Sequence, residues 1–196
     1  MGVQMPHILR ETSRGISPVS LEDAAFQERK LFIDQEITAA YASEICRALT
    51  YLSSEDPEAS ITLFINSPGG SVVSGLQIVD TMEAISCPVD TVCMGMAASM
   101  ASIIFMAGRK GSRLIMPHAR VFVHNPLTLG GGSGSALSVK KTADDLLETR
   151  ETLADLMVRY TGQDKDEALR VMDEETTFDA DEAVKWGIAD SIVDRM

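Results

Sequence analysis

The clearest chemistry in this chain lies in Gly95-Met96-Ala97-Ala98-Ser99-Met100-Ala101-Ser102, which follows an apolar run and opens a pattern of helical spacing. A hydroxyl at such a strand-to-helix turn sits near the unpaired amides of a first helical turn. Those amides, with the helix dipole, favour the negative charge of a tetrahedral intermediate. Ser99 is therefore a candidate nucleophile for acyl transfer, although a lone serine there also reads as a packing residue or a cap. His124 ends a second apolar run and precedes Asn125-Pro126-Leu127 and the glycine-rich residues 128–135. Neutral imidazole is the usual acceptor of a serine proton near pH 7. His7 falls in the tail and His118 in a Met-Pro-His-Ala turn, so His124 is the candidate base; its plainer reading is a hydrogen-bonded structural histidine. A third segment, Asn66-Ser67-Pro68-Gly69-Gly70-Ser71, also joins an apolar run to a helical pattern. Gly70 is free to aim its amide at a carbonyl oxygen, half of an oxyanion hole whose other half is the Met100 amide. An ordinary turn is the alternative.

These segments need a scaffold, and the rest of the pattern supplies one. Leu31-Phe32-Ile33, 61–65, 89–94, Leu114-Ile115-Met116 and Val121-Phe122-Val123 are short branched and aromatic runs bounded by Asp, Asn, Pro or Gly, the signature of strands. Helical spacing follows at 39–52, 72–85 and 98–107, which predicts strand-helix-strand crossovers and a mostly parallel sheet covered by helices. From 135 to 160, Val139, Leu146, Leu153 and Tyr160 recur every seven residues, with Ala143 and Met157 between them, as one stripe of a long helix. Asp164 with Glu167, and Asp179 with Glu182, mark the caps of two closing helices. A helix of about 25 residues spans nearly 40 Å at ~1.5 Å per residue, more than one domain of this size covers, so its far end is expected to meet another subunit.

Composition narrows the function further. With 196 residues and 45% apolar side chains, the chain is long enough for one sizeable core and reads as one domain. A net charge of -12, from 17 basic and 29 acidic residues, argues against nucleic acid or an anionic membrane as partner. Cys46, Cys87 and Cys93 lie inside apolar stretches and read as reduced core thiols of a cytoplasmic protein, without metal spacing. Residues 1–15 hold no apolar block of a secretory signal, and Pro6 stands where a myristoylation motif needs Ser or Thr. The apolar stretch 92–108 falls short of the ~18 residues of a spanning helix.

Taken in order, these segments resemble the proteolytic subunit of the Clp protease family over most of the chain. Thr12-Ser13-Arg14-Gly15 is similar to its amino-terminal signature, Ile65-Asn66-Ser67-Pro68-Gly69-Gly70 to its glycine turn, 94–100 to its nucleophile segment, and His124 with Pro126-Leu127 to its histidine segment. The similarity continues through Thr161-Gly162-Gln163 and Glu182-Ala183-Val184 to Gly187, Ile188 and Asp190. The resemblance implies an α/β, crotonase-like ClpP fold of strand-helix repeats with a protruding long helix for ring stacking. Within it, 1–20 would be a flexible axial segment, 21–196 one peptidase domain, and 128–160 a handle loop and helix. It implies Ser99 as nucleophile, His124 as base, Gly70 and Met100 as oxyanion donors, and Gly69, Ser71, Pro126 and Leu127 as substrate-binding residues. Family members are serine endopeptidases that cut unfolded polypeptides to short peptides. They work without a cofactor inside two stacked seven-membered rings, fed in the cytoplasm by a Clp-type AAA+ unfoldase.

The chain departs from the family at the third triad residue. Gap-free counts forward from Thr161-Gly162-Gln163 and back from Glu182-Ala183-Val184 both put Glu175 where the family has aspartate. Glutamate can orient a histidine and steady its imidazolium if its backbone retreats by about one methylene. Asp173 is the rival, and a solvated acidic turn is the plainer reading of Asp173-Glu174-Glu175. Glu174 replaces an arginine of an inter-ring ion pair. Thr62 and Ala84 replace aromatics of the unfoldase-docking pocket, leaving Phe64, and the loop 128–135 is longer than in familiar members. Three functions follow as alternatives: an active endopeptidase; a weakly active or inactive paralogue completing mixed rings; or an acyl-CoA hydratase or isomerase of crotonase architecture, which needs no serine nucleophile.

Overall fold

The computed structural model describes residues 7–12, 15–128, 134–193 and 195. Ser13 and Arg14 of the amino-terminal signature, residues 1–6 of the axial segment and 129–133 of the glycine-rich loop lie outside the described residues. Strands β1 (Ile8–Thr12) and β2 (Gly15–Val19) pair antiparallel. Helix α1 (Leu21–Gln27) follows, capped by the Ser20 hydroxyl accepting from the Asp23 amide. The chain then alternates: β3 (Lys30–Ile33), α2 (Ala39–Glu55), β4 (Ile61–Ser67), α3 (Val72–Ala84), β5 (Val89–Ala98) and α4 (Met100–Met106). Thr38 and Ser71 cap α2 and α3 through their hydroxyls, contacts worth about 1 kcal/mol each. Short strands β6 (Arg113–Ile115) and β7 (Arg120–Phe122) lead to α5 (Ala136–Thr161) and α6 (Lys165–Asp173). Then come β8 (Thr177–Phe178), α7 (Ala180–Trp186) and β9 (Ser191–Ile192).

Strands β3, β4, β5, β6 and β9 lie in that order and run parallel, because helical crossovers return the chain to the same edge each time. Helices shield the sheet, so Leu63, Phe64 and Ile65 are all buried in succession, as the continuous apolar run required. Strand β5 serves two neighbours. Thr91, Val92 and Cys93 pair with β6, whereas Met96, Ala97 and Ala98 pair with β7, on which β8 lies antiparallel. The change of partner coincides with a register shift against β4 between Ile65 and Ser67. There Asn66 Oδ1 accepts from the Met96 amide at 3.1 Å, and a Cβ on Gly95 would lie 2.5 Å from that oxygen. Because Ala97 and Ala98 are held in this ladder, α4 begins at Met100, two residues later than the helical spacing of 98–107 suggests.

Helix α5 matches the stripe expected at 135–160. Ser135 caps it, and Gly162 ends it in the left-handed conformation. Leu153, Ala154 and Met157 are its buried residues, all in the carboxyl-terminal half, while Leu137 is 80% exposed and Leu147 59% exposed. The amino-terminal half thus carries apolar side chains that this chain leaves uncovered.

One ion pair locks the carboxyl-terminal elements. Arg113, buried on β6, donates to Asp190 from Nη2 at 2.6 Å and from Nε at 3.0 Å, and donates from Nη1 to the Tyr160 carbonyl at 2.9 Å. Asp190 also accepts from the amides of Gly111 and Arg113. Burial pushes its carboxyl up, but Arg113 and the two amides outweigh this and hold it below the usual carboxylate range. The pair therefore contributes fully above about pH 4 and is lost as pH falls through the lower folded value. Arg113→Met should lower the unfolding free energy by about 3–5 kcal/mol, because it strands a partly buried carboxylate. Urea denaturation reads this directly, and a loss under about 1 kcal/mol would make the contact equivalent to a surface pair.

Candidate active site

The carboxyl ends of parallel strands are where open α/β sheets place their sites, and three of the singled-out segments meet there. The first is the turn after β5. Ser99 has φ 54° and ψ -127°, a conformation that L residues rarely adopt and that costs of order 1–3 kcal/mol. The fold enforces it: the Ser99 amide donates to the Phe122 carbonyl of β7 at 2.8 Å, while the Ser99 carbonyl accepts from the amide and hydroxyl of Ser102. Met100 and Ala101 behind it are buried, and Gly75 on α3 leaves room for the Met100 side chain, which a Cβ would meet at 2.0 Å. The Ser99 hydroxyl makes no capping bond, so it is left for other chemistry. Met100 opens α4, which leaves its amide without an intrahelical acceptor.

The second segment is the glycine turn after β4. The Ile37 amide donates to the Gly69 carbonyl at 2.8 Å, and the Ser71 amide donates to the Ile37 carbonyl at 2.9 Å. This parallel bridge uses the groups flanking Gly70 and turns the amide of Gly70 itself to the opposite side. Neither glycine tolerates a side chain. Gly69, at φ +92°, would put a Cβ 2.6 Å from the Ala98 carbonyl oxygen, and Gly70, at φ +149°, would put one 2.5 Å from that of Ile37.

The third segment carries His124, half-buried, with its ring stacked on Phe122 at 5.2 Å. Ser99, His124, Gly70, Ser71, Pro126 and Leu127 line one open cleft of about 520 Å³. Gly69 packs against the Ser99 turn. Beneath, a cavity of about 20 Å³, room for roughly one water, reaches from Ser99 and His124 to Met100, Met157 and Met172. Among the described residues neither the Ser99 hydroxyl nor the His124 ring has a hydrogen-bond partner.

The two candidate acids differ sharply. Ladder pairs Val121 with Phe178 and Phe122 with Thr177 continue through the Val123 amide, which donates to the Thr176 carbonyl at 3.0 Å. The ladder ends there; one residue on, Glu175 adjoins Thr176 with its amide donating to the Met172 carbonyl at 3.3 Å. Glu175 has φ 51°, is exposed, and its carboxylate has no hydrogen-bond partner among the described residues. Asp173, the last residue of α6, accepts from Asn125 Nδ2 at 2.9 Å and from Arg150 Nη2 at 2.9 Å on both oxygens. The Asn125 amide and then the Arg150 guanidinium hold its carboxyl below the usual range. Glu174, the residue that caps α6, pairs with Arg170 of that helix. Arg150 and Asn125 carry no sequence signal of their own, since their contacts join residues far apart in the chain.

Gly69→Ala should disturb the Ser99 turn, since the added Cβ would lie 2.7 Å from the Ser99 Cβ. We expect a loss of about 1–3 kcal/mol in stability and slower labelling of Ser99 by a fluorophosphonate probe; unchanged labelling would mean that the turn does not depend on this contact.

A protein-family model of the Clp protease matches residues 13–196, nearly the whole chain. The strand-helix alternation, mostly parallel sheet and glycine turn accord with that match. No helix among the described residues is long and apolar enough to cross a membrane. On this match the chain belongs to the Clp protease family, and its family chemistry is that of a peptidase.

Proposed function

We propose that this chain is the serine endopeptidase subunit of a self-compartmentalised, ATP-dependent protease that degrades unfolded polypeptides to short peptides. The observation that carries this reading is the strained Ser99 turn, its hydroxyl uncommitted, in one cleft with His124 and Gly70. In the reaction, His124 takes the Ser99 proton as Oγ attacks the scissile carbonyl, and the amides of Gly70 and Met100 receive the developing oxyanion. The imidazolium then gives its proton to the leaving amine, and water hydrolyses the acyl-enzyme by the same steps in reverse. Glu175 orients His124 and steadies its positive charge without itself becoming protonated. Gly70, Ser71, Pro126 and Leu127 line the cleft in which an extended peptide would lie beside Ser99. The small cavity under Ser99 takes an apolar side chain when its methionines, Met100, Met157 and Met172, change rotamer.

The uncovered apolar residues of α5 support a ring-forming assembly, with two stacked rings enclosing the clefts and a Clp-type AAA+ unfoldase feeding them. A second reading, a weakly active or inactive paralogue serving as a structural subunit of mixed rings, is favoured by Glu175 having no hydrogen-bond partner among the described residues and by Glu174 pairing with Arg170 of its own chain.

Ser99→Ala should abolish peptide hydrolysis and fluorophosphonate labelling while fold and particle mass persist, because triad losses lower turnover by about 10⁶. Substantial cleavage by the pure variant would place the nucleophile elsewhere, and a monodisperse monomer in light scattering across salt and concentration would remove the compartment. Glu175→Gln should reduce turnover steeply, by ~10⁴ if it behaves as other triad acids do, and Asp173→Asn far less. The reverse ranking in assembled protein would make Asp173 the orienting acid.

A further inference from the structure

Arg150 reaches from the handle helix to both segments that carry the proposed base and acid. It lies in the carboxyl-terminal half of α5, its side chain 20% exposed. Its Nε donates to Asn125 Oδ1 at 2.9 Å, and its Nη2 donates to both oxygens of Asp173 at 2.9 Å. Asn125 Nδ2 in turn donates to Asp173 Oδ1 at 2.9 Å, which closes a three-cornered set of hydrogen bonds. Asn125 immediately follows His124, and Asp173 lies two residues before Glu175. Apart from this set, among the described residues one backbone bond beyond the two-residue strand β8, Val123 amide to Thr176 carbonyl, joins the two segments next to His124.

We infer that Arg150 is a positioning residue for the proposed reaction, a clamp that fixes the spacing between the His124 and Glu175 segments and ties that spacing to α5. The inference rests on the peptidase reading for its kinetic consequence but not for its geometry. A planar guanidinium suits the task because it meets an amide oxygen and a carboxylate at once from a rigid fork, whereas an ammonium cannot hold both directions. Without it, Asn125 and Asp173 retain one bond to each other and none to α5. Any displacement of α5 is then no longer followed by the two segments together, and misplacement by about 1 Å costs on the order of 10²-fold in turnover. In the intact clamp, whatever packs on the uncovered half of α5 also bears on the site.

The test compares full-length wild type with Arg150→Met, Arg150→Lys and Asn125→Ala. Peptide hydrolysis, Ser99 labelling, light scattering and amide hydrogen exchange at Val123 are read on each. Arg150→Met should lower kcat by about 10- to 100-fold with KM within about twofold, leave particle mass unchanged and speed exchange at Val123. Arg150→Lys should recover part of kcat through the Asp173 contact, and Asn125→Ala should reproduce the loss from the other side. Unchanged kcat and unchanged Val123 exchange in Arg150→Met would overturn the clamp. So would a rise in KM alone, or activity lost only in proportion to lost particle. If Arg150→Met does not fold, Arg150→Lys and Asn125→Ala decide: normal kcat and exchange in both would also overturn it. A wild type that the probe does not label would overturn the peptidase reading and leave Val123 exchange to judge the clamp.

Discussion

The hydrogen bond from the Ser99 amide to the Phe122 carbonyl is where the architecture and the site become one thing. It extends the β5–β7 ladder by one step past Ala98, so the chain stays extended until the residue that opens α4. A chain with Ala97 and Ala98 before a helix would ordinarily wind up early, since alanine is the best helix former. The ladder prevents this and forces the reversal into Ser99 alone. The same strand passes to β7 where its register against β4 shifts beside Asn66, and Gly69 of the turn that follows β4 packs against the Ser99 turn. Three loops distant in sequence are thereby placed by one bulge and one bond.

Helix α5 obeys a different constraint. Of its 26 residues only the last two to three turns lie on the core, through Leu153, Ala154 and Met157. The outer half has its Ser135 cap and a Lys140–Asp144 pair, and an exposed pair of this kind adds only a few tenths of a kcal/mol. Isolated helices of such length are marginal in water, so tertiary cover is what normally sustains them. Exposed Leu137, Val139 and Leu147 supply the apolar surface on which a second subunit would pack.

Much of this was legible in the sequence because burial on both faces leaves unbroken apolar runs. Strand β4 announced itself in that way, whereas helices α3 and α5 showed instead as apolar residues at helical spacing. Strands β8 and β9, of two residues each, leave no periodicity to detect, and their positions follow from tertiary pairing with β7 and β6. Ser99, His124 and Gly70 could be singled out because glycine freedom, strand ends and scarce histidines are local signals. The positive φ of Ser99 was not legible, since Ala-Ala-Ser-Met-Ala has helical propensity throughout. Nor was the engagement of Asp173, which depends on a guanidinium from another helix.

That engagement bears on which carboxylate serves the imidazole. Asp173 already accepts from Asn125 and Arg150, so its charge is compensated in part and both its oxygens are engaged. The Glu175 carboxylate has no hydrogen-bond partner among the described residues, and its segment is joined to that of His124 through the Val123–Thr176 bond. Its longer arm has a consequence of its own. Fixing a glutamate side chain costs up to about 2 kcal/mol of rotamer entropy, more than a shorter aspartate loses at the same place. Ser99, His124 and Glu175 make no hydrogen bonds to one another, so the proposed triad would need a step that orders its side chains before it could act. That step is small enough for a bound peptide or a packed α5 to supply, and glutamate at this position therefore makes the proposed triad more conditional on its surroundings than aspartate would.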